Sequence, residues 1–298
     1  MPLTGYLAPA GFVAELQHEL AGAAVATYGR LVLAEAPPRP VAWAANTWLD
    51  PERIEIASIG DAAKRLRALQ RNWALYSHAH HRRAALIAEQ LPKVSARPLR
   101  FGAPPPGAPL GSWTLLAPDR MLASPRCTSP FPHGEVHFVE DKQAPPSRAY
   151  LKLWEVFTRI GQQPAPGEVC LDLGSSPGGW TWVLQGLGAR VISVDKAPLA
   201  PSVAALPGVE YRCESAFALD PRRFEGIDWL FSDVVCYPKR LLRLVETWLA
   251  AGTRRFVCAL KFQGATDHET AGRFAAIPGS TLMHLHHNKH ELTWIKLD

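Results

Sequence analysis

The second half of the chain, from residue 147 to residue 298, alternates short apolar runs with stretches in which apolar residues recur at helical spacing. We expect the apolar runs to be strands, at residues 169–173, 191–195, 209–213, 227–232 and 256–260, followed by a hairpin at 282–286 and 292–297. Helices are expected at residues 179–186, 239–251 and 269–276. Strands that alternate with helices build a doubly wound, mostly parallel sheet. The sequence therefore predicts an α/β domain with a C-terminal hairpin.

One further helical pattern precedes the first of these strands. It extends to Ile160 and places Leu151, Trp154 and Phe157 on one face. Because a serine hydroxyl can accept a hydrogen bond from the first turn of a helix, we expect Ser147 to be the N-cap.

Two segments rich in proline and glycine divide the chain. They are APPPGAPLG at residues 103–111 and QAPPS at residues 143–147, and neither can continue a helix or a central strand. Before them, strand-like runs at 4–7 and 25–35 and helical patterns at 9–20 and 62–69 indicate a small α+β unit. We therefore predict an N-terminal α+β domain over 1–102, a linker and connecting segment over 103–146, and the α/β domain over 147–298.

The net charge of +5 is unevenly distributed, because residues 61–100 hold nine Lys or Arg residues against two acids. Such a concentration is typical of a surface that binds a polyanion, although a solvated helix face shows the same pattern. On the first interpretation, residues 1–102 are an RNA-engaging domain. The candidate RNA-binding residues are Lys64, Arg65, Arg67, Arg71, Arg82 and Arg83.

Composition argues against several classes of protein. No uncharged apolar run is long enough to cross a membrane, and residues 1–10 lack the cationic and apolar segments of a signal peptide. The five cysteines are scattered, and the histidine clusters have no cysteine or paired carboxylate at metal-ligand spacing. We therefore expect a cytoplasmic protein with reduced thiols and no bound metal.

A glycine-rich turn, LDLGSSPGGW, follows the first strand of the α/β domain. Its glycines let a ligand approach the backbone at the carboxyl end of a strand, where such sheets bind ligands. The next strand ends in Asp195, whose carboxylate can accept hydrogen bonds from the ribose hydroxyls of an adenosine. The glycine spacing is not the dinucleotide pattern G-x-G-x-x-G, and it favours S-adenosylmethionine over a nicotinamide cofactor. The candidate cofactor-binding residues are Asp172, Gly174, Ser175, Ser176, Pro177, Gly178, Gly179, Trp180, Asp195, Lys196, Ser215 and Asp233.

The same turn, together with SRAYLKL at residues 147–153, resembles the FtsJ-type ribose 2′-O-methyltransferases. The resemblance implies a Rossmann-like methyltransferase fold and four catalytic residues. These are a Lys in the helix before the first strand, an Asp after the fourth strand, a Lys after the fifth and a Glu on the hairpin. The matching residues are Lys152, Asp233 (in FSDVVCYP), Lys261 (in ALKF) and Glu291 (in HELTWI). Ser215 departs from the family, where many members have an acid that contacts the adenine; Glu214 or a backbone amide would serve instead.

These residue types suit methylation of a ribose 2′-hydroxyl, a weak acid that must lose its proton as it reacts. A lysine can take the proton if its pKa falls towards the working pH, which a second ammonium and partial burial favour. We assign Lys261 as the general base and Lys152 as the residue that adjusts its charge environment. Asp233 and Glu291 would orient the amines and the substrate hydroxyl, and the reaction needs no metal.

The resemblance is strongest to the subgroup that methylates a cytidine ribose in bacterial 23S rRNA. It extends through SPFPHG at residues 129–134 and LHHNKHELT at residues 285–293. It implies large-subunit rRNA as the partner and a THUMP-like region, here reduced, at the N-terminus. We expect a monomer. Two alternatives stay open: the same chemistry on transfer RNA or another RNA, and a non-catalytic RNA-binding or ribosome-assembly factor on the same fold.

Overall fold

The computed structural model describes residues 2–298 and divides into two compact units, Met1–Val139 and Glu140–Asp298. The N-terminal unit contains, in chain order, β1 (Thr4–Leu7), α1 (Val13–Leu20), β2 (Ala24–Tyr28), β3 (Leu31–Ala34), β4 (Asn46–Leu49), β5 (Glu52–Glu55), α2 (Ile59–Leu69), β6 (Trp73–Leu75), α3 (His81–Ala88), β7 (Gly111–Ala117), β8 (Arg120–Ser124) and β9 (Arg126–Cys127).

Two sheets organise the N-terminal unit. One has five strands in the order β2-β3-β1-β4-β9, and the other has four in the order β5-β8-β7-β6. Helices α2 and α3 contribute Leu66 and Ile87 to a core that also contains Trp113 of β7. This arrangement confirms the predicted α+β class. Leu69 is 45% exposed at the end of α2, where the chain becomes extended.

Residues 103–146 differ from the connecting segment that we predicted. Strands β7 and β8 belong to the four-stranded sheet, and β9 pairs with β4. Trp113, Leu115 and Met121 are fully buried, so this stretch supplies core to the N-terminal unit. The boundary therefore lies at residue 139. The proline-rich run at 103–111 misled the prediction because a surface loop between α3 and β7 needs the same residue types as a linker.

The C-terminal unit contains, in chain order, α4 (Tyr150–Ile160), β10 (Val169–Leu173), α5 (Gly179–Gly186), β11 (Arg190–Asp195), α6 (Pro201–Ala204), β12 (Val209–Cys213), β13 (Trp229–Ser232), α7 (Pro238–Ala250), β14 (Arg255–Lys261), α8 (His268–Ala275), β15 (Ser280–Met283) and β16 (Glu291–Lys296). Among residues 2–298, no helix is both long and apolar enough to cross a bilayer.

The seven strands of the C-terminal unit form one sheet in the order β12-β11-β10-β13-β14-β16-β15. Strands β10 to β14 pair in parallel, and β16 is antiparallel to both β14 and β15. The predicted doubly wound sheet with a C-terminal hairpin is confirmed. The chain proceeds from β10 outward to β12 and then returns to the other side of β10 as β13. This reversal places a crevice beyond the carboxyl ends of β10 and β13, where such sheets bind ligands.

Helix α4 begins later than the sequence pattern indicates. Its N-cap is Ala149, which makes no side-chain capping bond, so the predicted capping role of Ser147 is wrong. Ser147 Oγ instead accepts a 3.4 Å hydrogen bond from the N–H of Ala149. It also packs against Gly179, where a Cβ would lie 2.6 Å from the hydroxyl oxygen. The predicted apolar face of α4 is buried.

Candidate active site

A cavity of about 230 Å³ opens in the crevice at the carboxyl ends of the parallel strands. Its walls come from the ends of β10 and β11, from residues 214–217 after β12, from residues 234–235 after β13, and from α7. Four of the predicted cofactor-binding residues line it: Gly174, Asp195, Lys196 and Ser215. The structure thus brings together residues that lie up to about forty positions apart in the sequence.

Gly174 allows the loops after β10 and β13 to approach each other closely. Its φ is +76°, and a Cβ at this position would lie 2.6 Å from the Cα of Val234. A side chain would therefore strain the backbone and collide with the neighbouring loop. The glycine leaves bare backbone at the wall of the cavity.

Asp195 is held rigidly at the end of β11. Its Oδ2 accepts a 3.1 Å hydrogen bond from the N–H of Ser176, and its Oδ1 accepts a 2.9 Å hydrogen bond from the N–H of Ala197. Each carboxylate oxygen retains further acceptor capacity. The carboxylate can therefore accept hydrogen bonds from two ribose hydroxyls in the cavity, as its sequence position predicts.

Most residues of the glycine-rich turn do not line the cavity. Asp172 is fully buried and accepts a 2.7 Å hydrogen bond from Thr181 Oγ1. Trp180 Nε1 donates to the carbonyl oxygen of Ala149 at 3.0 Å. The predicted cofactor-binding residues that do not line the cavity are Asp172, Ser175, Ser176, Pro177, Gly178, Gly179, Trp180 and Asp233. A glycine pattern identifies the turn, but it does not determine which residues of the turn face a ligand.

Two buried polar atoms at the end of β10 have no hydrogen-bond partner among residues 2–298. They are Oδ1 of Asp172 and Oγ of Ser175. A buried acceptor without a donor costs free energy, so such atoms point to a group that is bound there. S-adenosylmethionine offers an ammonium and ribose hydroxyls as donors. The residues present therefore fit this cofactor.

Phe217 and Arg240 are among the residues of the cavity that were not predicted from the sequence. The Arg240 guanidinium lies 3.8 Å from the centre of the Phe217 ring, so a cation and an aromatic ring stack at the cavity wall. Arg240 belongs to the first turn of α7, and nothing in the pattern of that helix singles it out.

Ser215, where the sequence departs from the family, begins a short 3-10 turn at Ala216–Ala218. Its Oγ accepts a 3.4 Å hydrogen bond from the N–H of Phe217. The neighbouring carboxylate of Glu214 pairs with Arg223 at 3.1 Å, although Glu214 also lines the cavity. The hydroxyl at residue 215 therefore supports the turn that forms this wall.

The four predicted catalytic side chains meet in one hydrogen-bonded network. Oδ1 of Asp233 lies 3.0 Å from Lys152 Nζ and 3.0 Å from Lys261 Nζ. Lys152 Nζ also lies 2.8 Å from Oε1 of Glu291, and Lys261 Nζ donates to the carbonyl oxygen of Asp233. Lys261 and Glu291 are register partners on the antiparallel strands β14 and β16, which places them side by side. The network lies next to Val234 and Val235 of the cavity.

Lys152 is the more enclosed of the two lysines. Burial lowers the pKa of Lys152, but the carboxylates of Asp233 and Glu291 raise it by more, so the net shift is upward. Lys152 is therefore held as an ammonium at neutral pH. It places a fixed positive charge beside Lys261, as its predicted role requires.

Residues 145–255, most of the C-terminal unit, match the family model described as FtsJ-like methyltransferase. Over these residues the C-terminal unit is similar to FtsJ-like methyltransferases, and we name this unit the FtsJ-like domain after that similarity. The match covers the glycine-rich turn, Lys152 and Asp233, while Lys261 and Glu291 lie beyond it.

Relatives of this chain include several proteins named ribosomal RNA large subunit methyltransferase M, which confirms the predicted resemblance. That of Halorhodospira halophila is 46% identical over 107 residues, covering 35% of this chain and 31% of the relative. That of Azotobacter vinelandii is 35% identical over 159 residues, covering 51% of this chain and 44% of the relative. That of Marinobacter nauticus is 31% identical over 189 residues, covering 55% of this chain and 50% of the relative. The chain thus matches half or less of the length of these relatives.

Within the FtsJ-like domain, the fully buried carboxylate of Glu155 joins α4 to the connection between β15 and β16. It accepts hydrogen bonds from the N–H groups of His286 and His287 at 2.8 and 3.1 Å and from Nδ1 of His287 at 2.8 Å. Arg159 Nε donates to it at 2.8 Å. Burial raises the pKa of Glu155, but the His287 hydrogen bond and the Arg159 charge outweigh it and lower the pKa to about 2.

Sequence reasoning missed Glu155, although its spacing gave a signal. Glu155 follows Lys152 by one helical turn. Helix α4 therefore binds the β15–β16 connection through Glu155 and binds Glu291 through Lys152. The histidines of this connection thus have a structural function. Among residues 2–298, no group of three or more His, Cys, Asp or Glu side chains is arranged to hold a metal ion.

The predicted RNA-binding residues lie outside the FtsJ-like domain, on α2, on α3 and just after α2. Two of them are engaged within the N-terminal unit: Arg65 pairs with Asp61 at 3.0 Å, and Arg67 donates to the carbonyl oxygen of Gln90 at 2.9 Å. The side chains of Lys64, Arg71 and Arg82 are exposed, whereas Arg83 is half-buried. The structure therefore leaves part of this set available to a polyanion.

Proposed function

We propose that this chain transfers a methyl group from S-adenosylmethionine to a ribose 2′-hydroxyl of RNA. The substrate would be large-subunit rRNA, and the target a cytidine of 23S rRNA. The observation that carries the proposal is the network of Lys152, Asp233, Lys261 and Glu291 beside the cavity. The name shared by the relatives supports rRNA as the substrate class.

Lys261 serves as the general base. Its side chain is 21% exposed, against 13% for Lys152, and it pairs with one carboxylate where Lys152 pairs with two. It is therefore the lysine that a substrate hydroxyl can reach. Lys261 Nζ accepts the proton of the 2′-hydroxyl, while Oδ1 of Asp233 keeps the amine oriented.

Lys152 stays protonated throughout. Glu291, with a side chain only 6% exposed, holds it at 2.8 Å, so its charge cannot move away from Asp233 and Lys261. Because these groups are in place before the substrate arrives, positioning accounts for most of the expected acceleration.

The cavity would hold the cofactor. When bound, S-adenosylmethionine supplies the methyl group that is transferred. Asp195 would accept hydrogen bonds from the ribose hydroxyls, and Gly174 leaves room for the ligand next to the backbone. Asp172 and Ser175 do not line this cavity, but their unpartnered oxygens belong to residues within two positions of Gly174 in its wall.

A second candidate keeps the chemistry and changes the RNA. It is favoured by the coverage of the relatives, since the chain matches 50% or less of the length of those named above. Substrate selection depends on parts of a protein outside the catalytic domain. Transfer RNA or another RNA would then be the acceptor.

The test is methyl transfer from labelled S-adenosylmethionine to unmodified 23S rRNA, followed by nucleoside analysis. We expect 2′-O-methylcytidine with the wild-type chain and none with Lys261→Gln. Transfer to transfer RNA alone would support the second candidate. Cofactor binding without transfer to any RNA would overturn the catalytic proposal.

A further inference from the structure

A second cavity, of about 360 Å³, lies within the N-terminal unit. Most of its wall comes from three stretches that contain none of the candidate site residues: 93–99, 106–110 and 130–137. The N–H of Leu99 donates to the carbonyl oxygen of His137 at 2.7 Å, and the N–H of Val139 donates to that of Leu99 at 2.9 Å. Backbone hydrogen bonds thus join the first and third stretches, and the cavity is built into the fold.

The walls of this cavity are mainly apolar. Phe131 contributes an aromatic ring, and Pro130, Leu99 and Leu110 contribute flat or branched apolar surfaces. The volume lies within the range of pockets that enclose small organic groups. A planar nucleobase suits such walls, because every base has a π-face that stacks on aromatic and apolar side chains.

His133 provides a polar contact in the cavity. Its Nδ1 is buried and has no hydrogen-bond partner among residues 2–298. Its φ of 58° is unusual for a residue other than glycine, a conformation often found at binding sites. Burial lowers the pKa of His133, so the ring is neutral, with one nitrogen as a hydrogen-bond donor and the other as an acceptor.

Two cations lie at the exposed part of the cavity. Lys93 and Arg97 line it, and their side chains make no ion pair or hydrogen bond with any of residues 2–298. The one acid in the lining, Glu135, is already paired with Arg30 at 3.1 Å. The cavity therefore combines apolar walls with unneutralised positive charge, a combination that matches the base and the phosphate of a nucleotide.

We propose that this cavity binds one unpaired nucleotide of the RNA substrate. The base would pack between the apolar walls with its edge at His133, and the phosphate would contact Lys93 and Arg97. The inference rests on the proposed function for the identity of the RNA. This site acts in addition to the basic helices α2 and α3. It encloses a base and also contacts the RNA backbone.

The test neutralises the two cations in the full-length chain, as Lys93→Gln with Arg97→Gln. The matched control is Arg53→Gln with Arg120→Gln. Arg53 lies on β5 and Arg120 on the neighbouring strand β8. Strands β5 and β6 form opposite edges of the four-stranded sheet and are roughly 14 Å apart, which is three strand spacings. Binding of a fluorescent single-stranded fragment of 23S rRNA is measured across a salt series. We expect the slope of log affinity against log salt to flatten by about 1.4 for the cavity variant, and to change less for the control. Equal slopes in the two variants would overturn the proposal.

A second measurement locates the base. The same RNA, carrying photoreactive thiouridine, is crosslinked to the wild-type chain and the attachment site is mapped. A crosslink to Phe131 or His133 supports the proposal, whereas crosslinks confined to α2 and α3 overturn it. A free mononucleotide that binds as tightly as the RNA fragment and displaces it would also overturn the proposal, because the site would then serve a free nucleotide.

These measurements separate the two proposals. If the wild-type chain methylates RNA and the cavity variant retains the wild-type KM for RNA, the nucleotide site is wrong and the catalytic proposal stands. If the crosslink maps to the cavity but no RNA accepts a methyl group, the nucleotide site stands and the catalytic proposal is wrong. If both hold, the cavity variant should raise KM for RNA and leave kcat unchanged.

Discussion

Lys152 and Lys261 share one acceptor atom, Oδ1 of Asp233, and each Nζ lies 3.0 Å from it. The two lysines differ in their second partner. Lys152 has the Glu291 carboxylate at 2.8 Å, whereas Lys261 has the backbone carbonyl of Asp233. The network is therefore asymmetric in charge, because Lys152 has two carboxylate partners and Lys261 has one.

Lys261→Gln should lower kcat for methyl transfer by at least about 10²-fold, because the variant has no base at this position. The affinity for S-adenosylmethionine should stay within about twofold of wild type, since Lys261 does not line the cofactor cavity. Lys239→Gln, a change at an exposed lysine of α7, is the control and should leave both quantities unchanged. Calorimetric cofactor binding and a labelled-methyl assay measure the two effects. Parallel loss of both would show that Lys261 maintains the structure of the site instead.

Gly174→Ala should destabilise the fold by about 1–3 kcal/mol and strongly weaken cofactor binding, because the residue has a positive φ and the new Cβ would collide with Val234. The matched control is Gly186→Ala at the end of α5, where no atom lies within 4 Å of the added Cβ. That change should be neutral or stabilise by up to about 1 kcal/mol. Urea unfolding and cofactor titration of both variants provide the comparison. Equal behaviour of the two alanine variants would contradict this explanation of Gly174.

The buried carboxyl of Asp172 should make stability depend on pH. Burial raises the pKa of Asp172 to about 7, well above its unfolded value near 4. Between these values the folded chain retains a proton that the unfolded chain has lost, so the free energy of unfolding falls as pH rises from 4 to 7. Three pKa units correspond to about 4 kcal/mol as an upper limit. Asp172→Asn should therefore gain stability relative to wild type between pH 5 and pH 8, in the absence of cofactor. If the free energy of unfolding depends on pH in the same way in both proteins, the prediction for Asp172 is wrong.

Glu155→Gln should destabilise the FtsJ-like domain by about 3 kcal/mol, because the change breaks a buried, charged hydrogen-bond group. The control is Glu246→Gln, which removes a half-exposed pair with Arg273 and should cost less than about 1 kcal/mol. Since the pKa of Glu155 is lowered to about 2, its contribution is complete above pH 4.5 and is lost as pH falls towards 2. Chemical denaturation at pH 7 and pH 3 tests both points. A Glu155 variant as stable as the control at pH 7 would show that the hydrogen bonds of Glu155 contribute little to the free energy of unfolding.

The element order of the C-terminal unit and the proximity of the four candidate catalytic residues could be predicted from the sequence for a shared physical reason. Apolar periodicity and a glycine-rich turn are local signals, and the carboxyl ends of parallel strands necessarily meet at one edge of the sheet. Lys152, Asp233, Lys261 and Glu291 each lie at or near an end of an element, so a correct order of elements already places them near one another. The resemblance to the FtsJ-type enzymes suggested the catalytic roles that we propose for them.

The sequence by itself therefore determined the α/β class, the position of the glycine-rich turn and the set of four residues that meet in the network beside the cavity. Only the tertiary structure decided which residues of the turn face the cavity, that β7, β8 and β9 belong to the N-terminal unit, and that Ser147 is not a helix cap. It also decided that Glu155 holds the β15–β16 connection and that two lysines share one oxygen of Asp233. The physical reason is that these features depend on the direction of side chains and on contacts between distant segments. Local periodicity contains no information about either until the chain has packed.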